Sequence, residues 1–384
     1  MSKNIQTGKK LLIVSDTAMY KSSDGIYAFG PVVLEVEHFL SIFEAVTWIG
    51  FERKNEKRDP IFKKVPGEVK IIMLPKSGGD SLLNKLNVVL AAPEMIIKIL
   101  RNFKGQQVIH TRAPSSPAFL ATLLSFFFKE KIYWHKYAGN WGAEHPSFFY
   151  GLQIKLLKSV KFAKITINGR WPSQPRQCLS FENPCLDEKD IEDGAKILPK
   201  RAYNPPFTFC FAGRLEDPKG VGIIIRTLAM LDTSIVKEMH FAGNGPDKQK
   251  FKEAANFLQI PVIFHGNLSR KALFELYKIS DFLLLPTTAA EGFPKVLAEA
   301  ANFGCIPITT GISSITQYIR NGENGYILTE PNENSLLGLL KETIKSNQEL
   351  KKMALESWQM GHLFTYSRYL DRIQNEIILD VRNP

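Results

Sequence analysis

Two glutamates, Glu291 and Glu299, stand eight residues apart in AAEGFPKVLAEA, around a Gly-Phe-Pro-Lys turn. Proline is favoured in a helix's first turn and glycine in the loop before it, so a helix is expected to begin near Phe293. Glu291 then precedes the helix, and Glu299 lies roughly 8 Å along its axis at about 1.5 Å per residue. The helix start presents unpaired N–H groups and a positive dipole end, a seat for phosphate. Carboxylates before and after that seat could grip hydroxyls on either side of the phosphate. The plainer alternative makes Glu291 a cap and Glu299 a solvated helix residue, and this segment alone leaves both open.

A second group lies in FAGRLEDPKG, where Arg214 and Lys219 leave the end of an apolar run, five residues apart. Two cations beside Gly213 and Gly220, which permit close backbone approach, suit a diphosphate. The competing reading pairs those charges with Glu216 and Asp217 in an ordinary loop. FAGNGP adds Gly243 in a further glycine-flanked turn, and HTRAPS places His110 and Arg112 at another strand end, where Arg112 could meet an acidic acceptor. Cys178, Cys185, Cys210 and Cys305 show no CxxC spacing, which argues against a zinc site or disulfide framework and fits a reducing compartment.

These residues need strands to carry them. DFLLLPTT (281–288) reads as a buried parallel strand, placing Glu291 at its carboxyl end, where open α/β sheets bind ligands. Similar runs occur at 10–16, 45–51, 69–75, 107–113, 131–139 and 163–169, and again at 207–214, 238–245, 261–267, 305–311 and 325–330. Helical stretches between them predict βαβ units and parallel sheets, hence an α/β fold of two Rossmann-like domains facing across a cleft. The expected boundaries are a first domain at 1–186, a charged, proline-containing linker at 187–205, a second domain at 206–360, and a separate C-terminal helix at 361–384. The loop 14–31 is read as the first βα connection, and AFLATLLSFFF (118–128) as a buried helix.

The 384 residues carry 49 Lys+Arg against 38 Asp+Glu, a net charge of +11 concentrated in the first half. That excess suits anionic lipid, nucleic acid or phosphorylated small molecules. Lys155, Lys158, Lys161 and Lys164 recur every third position and predict an inclined basic helix stripe, either solvated or facing a membrane. No apolar run reaches the roughly 20 residues that span a bilayer, and MSKNIQTGKKLLIVSD lacks a signal-peptide core. A cytoplasmic location, with or without peripheral attachment to the inner membrane face, is expected.

In order and spacing, FAGRLEDPKG, FAGNGP, HGNL, LLLPTTAAEGFPKVLAEAANFGCIPITT and NGENGYIL resemble the second domain of the retaining nucleotide-sugar glycosyltransferases of family 4, which have the GT-B fold. The resemblance implies transfer of a sugar from a nucleotide-diphosphate donor to a glycan or lipid-linked acceptor in cell-envelope polysaccharide synthesis. It implies that Arg214 and Lys219 neutralise the donor diphosphate, Glu291 contacts the transferred sugar, and Glu299 binds the ribose. The backbone at Gly292 and Phe293 would lie near sugar and phosphate. The family's first-loop Gly-Gly pair is replaced by single glycines, of which Gly25 would approach donor or acceptor. The family's strand-end histidine falls on His135, with Lys136 or the Gly139 backbone as alternatives for that space. The final helix would cross back to the first domain. No metal or cofactor is expected beyond the donor; Asp190-Ile-Glu192 has DxD spacing but falls in the expected linker. An epimerase or hydrolase of the same fold, or a basic nucleic-acid-binding α/β protein, are the alternatives; no nucleic-acid module is visible.

Overall fold

The computed structural model describes residues 6–53, 59–75, 77, 82–143, 145–172, 174–289, 291–342 and 347–379. The chain divides into two compact units: Met1–Glu182 with Ser367–Pro384, and Asn183–Tyr366.

The first unit runs β1 (Lys10–Ser22), β2 (Gly25–Phe29), α1 (Gly30–Phe39), β3 (Ala45–Glu52), β4 (Phe62–Lys64), β5 (Val69–Leu74), α2 (Leu82–Phe103) and β6 (Val108–Ala113). It continues α3 (Ser116–Leu124), β7 (Ile132–Tyr137), α4 (Phe148–Ser159), β8 (Lys164–Ile167) and β9 (Cys178–Ser180). Its parallel strands lie in the order β5-β3-β1-β6-β7-β8-β9, a Rossmann arrangement extended by one strand. Leu11 to Val14 are fully buried because the sheet is covered on both faces. Leu11 and Ile13 pack towards α1, and Leu12 and Val14 towards α2 and α3.

The expected loop at 14–31 is instead a hairpin. β1 slips register between Val14 and Ala18, continues to Ser22, turns through Ser23-Asp24, and pairs antiparallel with β2. Two β-prone runs around Ser-Asp-Gly are a hairpin signal, and the apolar-run reading stopped before it. The lysine stripe also changes: α4 ends at Ser159, so only Lys155 and Lys158 share a helix, Lys161 lies in the following turn and Lys164 opens β8. The apolar run 118–128 is not one buried helix: α3 ends at Leu124, and Leu123 and, in the turn beyond it, Phe126 and Phe127 are exposed.

The second unit holds α5 (Glu188–Ile197), β10 (Phe207–Ala212), α6 (Val221–Met230), β11 (Val236–Ala242), α7 (Lys248–Ala255), β12 (Val262–Gly266) and α8 (Arg270–Ile279). It ends with β13 (Phe282–Leu285), α9 (Lys295–Asn302), β14 (Ile306–Thr310), β15 (Tyr326–Leu328), α10 (Glu333–Glu342) and α11 (Asn347–Gly361). The sheet is wholly parallel, in the order β12-β11-β10-β13-β14-β15. This is the doubly wound 3-2-1-4-5-6 order, and its direction of winding reverses between β10 and β13.

The expected linker is structured and belongs to this unit. Asp187 and Asp190 form a reciprocal capping box that starts α5, and the Arg270 guanidinium grips the Asp190 carboxylate and donates to the Cys185 carbonyl at 3.0 Å. Residues 367–379 belong to the first unit, where α12 (Tyr366–Arg372) and a π-helical turn (Ile373–Leu379) place Tyr369, Leu370, Ile373, Ile377 and Ile378 in its core. No helix among the described residues is long and apolar enough to cross a membrane.

Candidate active site

The reversal point of the second unit's sheet is where two loops leave neighbouring strands in opposite directions, opening a crevice at their carboxyl ends. The loop after β10 turns through Asp217–Lys219 into Gly220, whose φ of 82° only glycine adopts at low cost; an added Cβ would lie 2.3 Å from the Pro286 carbonyl. The loop after β13 is tied down onto it. Thr288 N–H and the Thr287 hydroxyl both donate to the Pro218 carbonyl, at 2.8 and 3.1 Å, and the Thr310 hydroxyl donates to the Thr287 carbonyl at 2.5 Å.

This lacing brings Lys219 and Glu291 together across the reversal point, Nζ to Oε1 at 2.5 Å. The Lys219 side chain is only 14% exposed, so the pair is worth more than a solvated surface contact, and any anion entering here meets a cation already held in place. Arg214 is different. Its side chain is 68% exposed and its Nε donates to Glu216 at 3.0 Å, as the loop-pairing alternative has it. Asp217 pairs instead with Lys250 at 2.7 Å.

Gly243 has a packing reason to be glycine, and Gly213 is the neighbour that supplies it. Gly243 has φ of 135°, and a Cβ there would stand 1.9 Å from the Gly213 carbonyl oxygen. The two turns are pressed together, with Gly213 N–H donating to Ala242 O at 3.0 Å and Leu215 N–H to Asn244 O at 3.1 Å. Gly292 is buried, and the Phe293 side chain stacks on Phe364 at 4.6 Å, turned into the core as an anchor for the turn. α9 starts at Lys295 with Pro294 as its N-cap residue, two residues later than the spacing suggests.

Glu299 is partly buried on α9. Burial raises its carboxyl above the ordinary range, while Lys295 one turn back and Arg270 oppose that rise and Asp190 adds to it. It is therefore not a freely solvated helix residue. Asp190, half of the DxD-spaced pair, is committed to the α5 cap and to Arg270.

The candidates in the first unit fare differently. His135 is fully buried inside β7, its Nδ1 2.8 Å from the Thr111 hydroxyl, and burial pushes its pKa down to about 3. A neutral ring enclosed in a core does not contact a sugar, so the expected role of His135 is corrected to a structural one. His110 is equally buried, stacked on Trp134 at 3.7 Å with Nδ1 facing the Trp134 carbonyl. Gly25 closes the β1–β2 hairpin, where its φ of 146° and the Lys64 side chain, 2.7 Å from a would-be Cβ, explain the glycine; a loop role is thereby replaced by a turn role.

The sequence reading passed over Glu35. It lies on α1, fully buried, with Oε1 2.8 Å from Lys136 Nζ and 2.9 Å from the Tyr369 hydroxyl, and Oε2 2.9 Å from an Arg112 terminal nitrogen. Its one sequence signal is a charge on the apolar face of PVVLEVEHF, beside Val32, Val36 and Phe39. Arg112 and Lys136 come from the carboxyl ends of β6 and β7, near Asp16, whose carboxyl burial raises and Arg112 lowers.

Residues 196–357 match the model of the family Glycosyl transferases group 1. Two relatives come from Salmonella typhimurium. Lipopolysaccharide 1,6-galactosyltransferase is 31% identical over 154 residues, 38% of this chain and 42% of that protein. Lipopolysaccharide 1,2-N-acetylglucosaminetransferase is 24% identical over 131 residues, 32% of this chain and 34% of that protein. The match thus spans well under half of either relative. Anabaena HepE, solved with UDP and glucose, superposes with a TM-score of 0.67 at 16% identity over 97% of this chain and all of that one. The stretch matched by the family model lies within the second unit, and the chain has the two-Rossmann GT-B fold seen in HepE.

Proposed function

We propose that the protein is a retaining, metal-independent glycosyltransferase that moves a sugar from a nucleotide-diphosphate donor to a glycan or lipid-linked acceptor in cell-envelope polysaccharide synthesis. The observation that carries this reading is the meeting of Lys219 and Glu291 at the sheet's reversal point, with Glu299 eight residues on. The lipopolysaccharide glycosyltransferases among the relatives and the UDP bound by HepE support a nucleotide-sugar donor.

In this reading Lys219 receives the diphosphate, and Arg214 swings from Glu216 to share its charge. Glu291, released from Lys219, accepts hydroxyls of the transferred sugar, and Glu299 accepts those of the ribose. The bond from the anomeric carbon to the diphosphate oxygen breaks with its electron pair leaving on the phosphate. The acceptor hydroxyl oxygen attacks from the same face and passes its proton to that phosphate oxygen, so configuration is retained with no protein nucleophile. Each preorganised donor to the developing charge is worth about 10²–10³ in rate. The enzyme would work in the cytoplasm, peripheral to the inner membrane face.

The test is a thermal-shift screen of UDP-, GDP- and ADP-sugars against wild type and Glu299→Ala, since a ligand that binds only the folded state must raise its stability. One nucleotide class should stabilise the wild type and lose that effect in the variant. No stabilisation by any nucleotide sugar at millimolar concentration would sink the donor assignment.

A further inference from the structure

The helices α2, α3 and α4 cover one face of the first unit's sheet, with α3 packed against both of the others. Their outward surface is unusually apolar. On α4, Phe148, Leu152 and Lys155 follow at i, i+4 and i+7, outside the buried Gln153, Ile154 and Leu157. Phe148 is 89% exposed, and Phe127, just past the end of α3, is 79% exposed. Phe126 meets Phe162 edge-on at 5.6 Å, joining the end of α3 to the turn after α4, and Val89 and Leu90 add an aliphatic edge from α2.

Charge selects the occupant. Between Ser116 and Lys164 the sequence has six lysines besides Lys136, which is buried against Glu35, no arginine and only two acids, Glu130 and Glu144. Lys129 reaches over the Phe162 ring at 5.7 Å, and Lys155, Lys158 and Lys161 are exposed among the apolar groups. A second copy of this face would set lysine against lysine. Stacked nucleobases would use the aromatic rings but gain little from Val89, Leu90 and Leu152. An anionic bilayer surface satisfies both features, taking apolar side chains into the headgroup and acyl boundary and drawing lysines to the phosphates.

We propose that the outer face of α2, α3 and α4 docks the protein on an anionic bilayer surface, with Phe127 and Phe148 inserted and Lys129, Lys155 and Lys161 in the headgroup layer. This deepens the acceptor side of the proposed function and rests on that reading for the membrane setting alone. The experiment is co-sedimentation of the full chain with vesicles of phosphatidylglycerol and phosphatidylcholine, and with vesicles of phosphatidylcholine only. Wild type should bind the anionic vesicles at least tenfold more tightly, with binding falling as salt rises. Phe127→Ser with Phe148→Ser should weaken binding at least tenfold, and Lys155→Glu or Lys161→Glu about fivefold each. All these side chains are exposed, so unfolding midpoints and donor-induced thermal shifts should match wild type; loss of the donor shift alone speaks against the glycosyltransferase reading and not this one. Equal binding to neutral vesicles, or wild-type binding by the double serine variant, overturns the proposal. So does a wild-type dimer in sedimentation velocity that the double variant dissolves while neither protein binds vesicles.

Discussion

Replacing Glu35 by glutamine keeps the side chain's shape and removes the charge that Lys136 and Arg112 face inside the first unit. Glu35 is fully buried and Lys136 is 4% exposed, so solvent cannot substitute for the lost carboxylate. Breaking one partner of a buried ion pair costs about 3–5 kcal/mol, because the opposite charge stays desolvated. In a unit of about 200 residues, at roughly 2–4 °C per kcal/mol, that is a fall of about 6–20 °C in midpoint. Tryptophan fluorescence isolates the effect, since Trp48, Trp134, Trp141 and Trp171 belong to the first unit and only Trp358 to the second. Tyr369→Phe removes one 2.9 Å hydrogen bond to the carboxylate and should cost about 1.5–3 kcal/mol by the same readout. Glu35→Leu combined with Lys136→Met should be less damaging than Glu35→Leu alone, because one of the two cations facing the lost carboxylate goes with it and only Arg112 is left unpaired. A loss below about 1 kcal/mol in Glu35→Gln, or strictly additive single and double variants, would refute the reasoning.

Further consequences follow from the sites described. Glu291→Gln frees Lys219, so UDP should bind about two- to fivefold more tightly by calorimetry while sugar transfer falls about 10²–10³-fold; weaker UDP binding would contradict the competition between carboxylate and phosphate. Gly243→Ala forces a Cβ against the Gly213 carbonyl in a strained conformation and should cost at least about 3 kcal/mol in urea unfolding, whereas Gly338→Ala, on the open face of α10, should stabilise by about 0.5–1 kcal/mol. Burial holds the His135 imidazole at about 3 and His110 well below its ordinary range, so the unfolded chain takes up these protons first. Their contribution to stability is whole above pH 6.5 and is lost as pH falls below it, by up to about 1.4 kcal/mol per pH unit for each ring. Urea midpoints between pH 7 and 5 should show that slope, reduced in His135→Gln.

All twelve strands read from apolar runs are present within a few residues, since a strand covered on both faces must be apolar throughout and announces itself. The short β2, β4 and β9 were not legible. They owe their place to pairing at the sheet's margins rather than to their own composition. Within the site, Lys219 and Glu291 were named from local motifs, yet their contact depends on Thr287 and Thr288 reaching Pro218 some 70 residues back. Glu35 shows the limit most clearly. Its partners Lys136 and Tyr369 lie 101 and 334 positions away, and nothing in PVVLEVEHF specifies them. His135 was misplaced for a related reason: strand position gives the register of a side chain, while the covering layer decides whether it sees solvent.

The first unit takes its last core residues from Tyr369 to Ile378, after the whole second unit has passed. During synthesis from the amino end, its sheet therefore emerges first but waits with Phe39, Trp134 and Phe181 uncovered on one face until those residues arrive. The second unit has all of its strands within one continuous stretch and can close as soon as that stretch is made. The order of completion is thus the reverse of the order of translation, and a released chain truncated at residue 366 would hold a complete second unit with an unfinished first.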